Sequence, residues 1–269
     1  MAQSSQFQSH LSRTYSAGLH EERWSSGHAE CTPASRFAGA GRVKTLPGTS
    51  RVRQIDTHRL IPARFSDDPI AILGTIAEND ADLAELARLE SLTDEQVLAE
   101  NDLLPGIGVQ ELVFGVPHAR VINGAFTHAN PFGSRFNGPT RGAWYAGFEI
   151  ETSRAEIAFH RTVHLAEIGQ FQDEAIYVDY LADFGGEFHD LRNDSAFAVC
   201  LDPDSYVQSQ TLTERLLAAG SLGTLYPSVR YTGGTCLACF RPAMVANVRT
   251  GLKYRFTWTG ESTPRIAVI

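Results

Sequence analysis

The chain has 269 residues, 43% of them hydrophobic, enough to bury a core as one large domain or two small ones. Its formal net charge of −8 opposes the basic footprint of a nucleic-acid-binding surface. No run reaches the roughly 18 apolar residues of a membrane-spanning helix, the N-terminus MAQSSQFQSH lacks the pattern of a secretory signal, and four cysteines do not make a disulfide scaffold. A cytoplasmic protein with reduced thiols is expected.

Residues 1–50 are polar and rich in Ser and Gly, without helical or strand period, and read as a flexible tail that cannot offset its own ordering entropy. Residues 51–269 read as the folded domain. Arg59-Leu60-Ile61-Pro62 has the character of an entry strand. Asp68-Pro69 offers a helix cap with proline at the first helical position. Leucines at Leu83, Leu86 and Leu89 then recur at helical spacing, and Thr93-Asp94-Glu95-Gln96 opens a third short helix. This helical segment, 68–101, carries no convergent polar set, so packing on or shielding the rest of the domain is its expected work, with a homodimer as an alternative use of its leucine faces.

After a Gly- and Pro-broken stretch, Ala119-Arg120-Val121-Ile122 predicts a strand. The segment from Ser134 to Leu165 is the densest in chemistry. Arg135 lies in a loop that Gly138, Pro139 and Gly142 keep irregular, Tyr145 ends a short aromatic strand, and Glu156 lies in the first turn of a helix beginning near Thr152 or Ser153. A cation, an aromatic and a carboxylate thus fall within one loop–strand–helix unit, which can bring them to one cleft. Each has a plainer role as well: Arg135 as a surface charge, Tyr145 as a core aromatic, and Glu156 as the closing residue of a capping box begun at Ser153.

Ala175–Leu181 predicts a strand rich in β formers, and Asp204 or Ser205 caps a helix running through Leu212 and Leu216 to a stop at Gly220. Pro227 places Ser228 on an extended segment, Gly233-Gly234 form a turn, and Thr235–Phe240 is the next strand. The C-terminal alternation from Ala246 to Trp258 predicts a hairpin turning near Gly251. Strands and helices mixed without a βα repeat indicate α+β.

GSRFN, a strand ending in Tyr145, Glu156 on the helix that follows, and PSVR before a later strand together resemble the RES family, whose name denotes an Arg, a Glu and a Ser. The likeness runs from about Thr57 to the C-terminus, including the Arg59–Pro62 opening and the helix at Leu89–Thr93 of longer members. The resemblance implies an ADP-ribosyltransferase-like fold of mixed or antiparallel sheets with flanking helices, here with an N-terminal helical extension. It further implies an NAD-consuming enzyme, a glycohydrolase, phosphorylase or ADP-ribosyltransferase, acting as a toxin paired with an Xre-type helix-turn-helix antitoxin. Arg135, Tyr145, Glu156 and Ser228 take the family's catalytic positions, and Arg135, Phe136, Asn137, Tyr145 and Ser228 its NAD-binding ones. NAD is then a substrate, and no metal is implied.

Two other readings compete. One makes the fold a non-catalytic nucleotide-binding module, and the other makes Glu156, His160 and His164 a metal-dependent hydrolase site. The second lacks the HExxH arrangement, since Arg161 follows His160. Cys236 and Cys239, three apart on a strand, face opposite sides and make neither a metal nor a redox pair.

Overall fold

A computed structural model describes residues 46–66 and 106–269; the helices expected between Asp68 and Glu100 and the segment before residue 46 lie outside the described residues. Seven strands are β1 (Thr49–Pro62), β2 (Trp144–Gly147), β3 (Gln172–Asp190), β4 (Gly223–Pro227), β5 (Thr235–Cys239), β6 (Ala246–Thr259) and β7 (Arg265–Val268). The α-helices among the described residues are α1 (Ala119–Thr127), α2 (Ile150–Glu167) and α3 (Val207–Ala218). The fold is mixed α+β. β1 begins at Thr49, so the last two positions read as tail are strand.

The sheet runs β1-β2-β5-β4-β3-β6-β7, and an additional β1–β3 pairing closes its first five strands into a ring. The length of β3 makes this possible. One edge of its 19 residues takes β1 from Thr49↔His189 to Pro62↔Tyr177, while the other takes β6 and then, in parallel, β4 at His189 and Asp190. β1 meets β2 only at His58↔Gly147, and beyond that point the two strands separate.

Alternation along β3 sorts side chains into two cores. Val178, Tyr180, Ala182 and Phe184 join Trp144, Leu225, Leu237 and the α1 residues Val121, Ile122 and Phe126 in one cluster. Tyr177 faces the other way and packs with Leu60, Leu165, Tyr254, Phe256 and Trp258 under α2.

Three local expectations are corrected. Ala119–Ile122 is helix, not strand: Val121, Ile122, Ala125 and Phe126 form a buried helical stripe, and the Asn123 side chain bonds both the amide and the carbonyl of Val113. Packing of that stripe outweighs the β preference of Val and Ile. Gly251 is not a turn. Lys253 pairs with Val178 and Thr250 with Tyr180, so Gly251 and Leu252 stand opposite Asp179 alone, a β-bulge in an unbroken strand.

Thirdly, α2 starts at Ile150 with Glu149 as its cap residue, which moves Glu156 out of the first turn. Ser153 caps nothing. Its hydroxyl donates to the His58 carbonyl at 2.7 Å and accepts from the Gly147 amide at 3.1 Å, tying β1 and β2 together where they last touch. Gly147 permits this approach, since a Cβ there would lie 2.7 Å from the Ser153 hydroxyl.

Candidate functional site

Where β1 and β2 part, a cavity of about 240 Å³ opens under α2, and Arg59, Arg135, Tyr145, Glu156, His160 and Tyr226 are on its wall. The loop, strand and helix of the 134–165 segment thus meet at one cleft. Glu156 reaches it because the helix begins early: seven residues from the cap, its carboxylate stands over the edges of β4 and β5. There Oε1 accepts the Ser228 hydroxyl at 2.8 Å and lies 3.9 Å from the Cys236 sulfur.

Ser228 backs the carboxylate and does not line the cavity. Its hydroxyl also accepts from the amides of Arg230 and Tyr231, at 3.2 and 3.0 Å, so a turn that the sequence marks with Pro227 and Gly233-Gly234 aims its proton at Glu156. Gly234 lets this turn pack against Thr152 of α2, whose side chain a Cβ would strike. Burial, then the Glu156 charge, pushes the Cys236 thiol far up, which keeps it protonated beside the carboxylate.

Arg135 is buried, with Nη1 donating to the carbonyls of Cys200 (3.3 Å) and Asp202 (2.7 Å), and its guanidinium lies 4.7 Å from the Tyr206 ring centre. The plain surface-charge role is therefore excluded. Tyr145 turns its ring to the cavity and spends its hydroxyl on the loop, accepting from the Phe136 amide and donating to Asn137 Oδ1, both at 2.8 Å. Burial raises its phenol pKa. Phe136 packs on Tyr226 with ring centres 4.7 Å apart, and Phe136 and Asn137 line a separate cavity of about 350 Å³ rather than this one. The structure makes them supports of the loop.

Arg59 joins the site from β1. Its Nη1 donates to the Tyr145 carbonyl at 3.2 Å, its guanidinium lies 5.0 Å from the Trp144 ring centre, and its Nε is buried without a partner. Burial pulls it down to about 10, so it remains a cation at neutral pH. The sequence marks Arg59 as strand and as part of the family-like opening at Arg59–Pro62, without a role in the site, because nothing local signals that β1 will border β2.

His160, one turn after Glu156, is exposed along the cavity, whereas the His164 side chain is 56% exposed and approaches Glu167 at 4.0 Å. The trio of the metal reading does not converge, and among the described residues no group of three or more His, Cys, Asp or Glu could hold a metal ion. Cys239 turns away from Cys236 and donates to the Arg241 carbonyl at 3.3 Å. No described helix is long and apolar enough to cross a membrane.

The arrangement sets a hydroxyl-braced carboxylate on one cavity with two guanidiniums that are bonded to carbonyls rather than carboxylates. It suits a ligand carrying anionic groups at one end and developing positive charge at the other.

Comparison with known proteins adds the following. The family profile described as RES domain matches residues 112–259, more than half of the chain. No curated protein sequence matches. Among solved structures, the crystal structure of the M. tuberculosis MbcT–MbcA toxin–antitoxin complex contains a chain of 13% identity and TM-score 0.42, the match covering 78% of this chain and 87% of that one.

Proposed function

The chain belongs to the RES domain family, and on that premise we propose that it consumes NAD by breaking the bond between ribose C1′ and the nicotinamide nitrogen. One observation carries the reading: Glu156 stands on the cavity with Ser228 fixing its carboxylate at 2.8 Å, in a wall shared with Arg59 and Arg135. Loss of neutral nicotinamide leaves an oxocarbenium-like ribose, and a carboxylate held in place stabilises that charge as it develops. Arg59 and Arg135 hold the pyrophosphate, since a guanidinium matches phosphate oxygens as a fork. The rings of Tyr145 and Tyr226 exclude water from the nicotinamide end. At about 240 Å³ the cavity is smaller than the roughly 300–1,000 Å³ of pockets that enclose whole ligands, which fits a site that takes the nicotinamide–ribose end and reaches the pyrophosphate at its rim, leaving the adenosine end outside.

We extend the catalytic domain past the matched 112–259 to include β1, because β1 runs along β3 and contributes Arg59. An enzyme that drains NAD needs restraint in the cell that makes it. We therefore read the chain as the toxin of a toxin–antitoxin pair, acting in the cytoplasm with a helix-turn-helix antitoxin as partner. The test is incubation of the purified protein with NAD, with and without inorganic phosphate. Nicotinamide release is expected, and the ribosyl product identifies the acceptor: free ADP-ribose for water, a phosphorylated ribose for phosphate, ADP-ribosylated protein for a side chain. NAD binding without release would reassign the chain to a non-catalytic module.

A further inference from the structure

We propose that His58, held by the buried carboxylate of Asp179, is the base that takes the proton from the acceptor, and that this acceptor is water. The inference rests on the NAD-cleaving reading and deepens it. His58 lies on the cavity wall with Glu156, one residue before Arg59. Its Nδ1 is 2.7 Å from Asp179 Oδ2, with the two side chains 21% and 4% exposed. A carboxylate only accepts, so Nδ1 carries the hydrogen, and in the neutral ring Nε2 then holds the lone pair, the tautomer a base facing a ligand needs.

Three further features separate this pair from an ordinary cross-strand tie. Asp179 Oδ1 is buried with no partner, an arrangement that costs stability and leaves carboxylate charge unspent beside the imidazole. The backbone of His58 is pinned by the Ser153 hydroxyl at 2.7 Å, next to the one β1–β2 pairing. On its other edge Asp179 faces the Gly251–Leu252 bulge, where a Cβ on Gly251 would come within 3.3 Å of the Asp179 carbonyl and Oδ2. Bulges of this kind re-aim side chains, and here the glycine leaves the carboxylate its room.

The C1′–N bond breaks and its electron pair leaves with nicotinamide, which becomes neutral. Water attacks C1′ on the ribosyl cation opposite the departing ring, a C1′–O bond forms, and the water proton passes to His58 Nε2. The imidazolium is stabilised by Asp179 until the proton is lost to solvent, leaving ADP-ribose. Asp179 is a positioning residue in this account, and His58 touches the reacting water.

The experiment measures nicotinamide release from NAD by the full chain and its H58A, H58Q and D179N variants, with and without sodium azide. H58Q keeps an amide donor for Asp179 and so preserves the strand tie should H58A fail to fold. General base catalysis contributes about 10²–10⁴-fold, so H58A and H58Q should lose at least about 100-fold in kcat with KM little changed. D179N should lose at least about tenfold and up to as much as the His58 variants, since an amide facing Nδ1 can hold the tautomer with no lone pair at Nε2. Azide has no proton to give up, so it should restore release in the His58 variants and yield ribosyl azide. Turnover of H58Q within about threefold of wild type, a loss that azide does not restore, or a wild-type reaction that stops without phosphate would each overturn the proposal. Absence of release by wild type would instead overturn the NAD reading on which it stands.

Discussion

The two walls of the cavity differ in how their polar groups are spent. On the loop wall, Arg135 and Tyr145 bond nearby carbonyls or the Phe136–Asn137 segment behind them: the Tyr145 hydroxyl both accepts and donates, and Arg135 Nη1 serves two carbonyls. On the strand–helix wall, Arg59 Nε is buried with no partner, as is Oδ1 of Asp179 behind His58, and Glu156 holds its carboxylate on the cavity against one hydroxyl. A saturated wall is a frame, since breaking any of its bonds orphans a second group. A wall with valences unspent has kept them at a cost to stability, and that is where a ligand has most to offer. The residues most visible in the sequence as site candidates therefore divide between frame and working surface.

Glu156→Gln should break this contrast most clearly. It keeps shape and a partner for Ser228 but removes the charge, and kcat for NAD cleavage is expected to fall about 10²–10³-fold with an unchanged melting temperature. Steady-state kinetics beside a thermal melt separates this from a fold defect.

The two arginines should then respond differently to the same change. Arg135→Lys loses the guanidinium whose Nη1 serves two carbonyls and is expected both to weaken NAD binding and to destabilise the protein by about 2 kcal/mol in denaturant titration. Arg59→Lys should leave the melt nearly unaltered and raise KM for NAD roughly tenfold. Equal melting curves for the two variants would abolish the distinction between the walls.

Tyr145→Phe sharpens the comparison from the frame side. It strands the Phe136 amide and Asn137 Oδ1, so a loss of about 1–2 kcal/mol in stability is expected with a kcat close to wild type. A kcat that falls while stability holds would move Tyr145 to the working surface.

The smallest effect concerns pH. Although open along the cavity, the His160 ring is largely surrounded by protein atoms, and that desolvation, then the charges of Arg230 and Arg135, pulls its imidazole below the ordinary value of 6.5. Between that value and the lower folded one, the unfolded chain binds the proton more readily, so stability contributed by the neutral ring is present above 6.5 and is lost as pH falls. Melting temperatures from pH 7 to 5 should decline more for wild type than for His160→Gln.

Much of the site was legible because local chemistry marks it. Pro227 and Gly233-Gly234 announce the turn that aims Ser228, and the irregular 134–142 loop announces a place where Arg135 does not serve a regular element. Two errors have the same origin. Val121 and Ile122 favour strand by propensity, and Gly251 resembles a turn, yet α1 exists because its stripe packs on the first core, and β6 runs on because β3 pairs with it on both sides of the bulge. Neither fact is contained within ten residues of sequence. His58 and Asp179 illustrate the same limit, since they lie 121 residues apart and nothing in THRL or VDY marks either for the other.

By itself the sequence determined the α+β class, the strand–helix unit carrying Tyr145 and Glu156, and the family, because alternation, turn residues and an ordered motif are properties of neighbours along the chain. The tertiary structure alone decided that β3 closes a ring with β1, and hence that Arg59 and His58 border the cavity. It also decided that Ser228 points at Glu156 rather than into the cleft, and that Phe136 and Asn137 support the loop without lining the site. The physical reason is that pairing along a 19-residue strand, and the burial of hydrogen-bonding groups that follows, are set by contacts between segments more than a hundred residues apart.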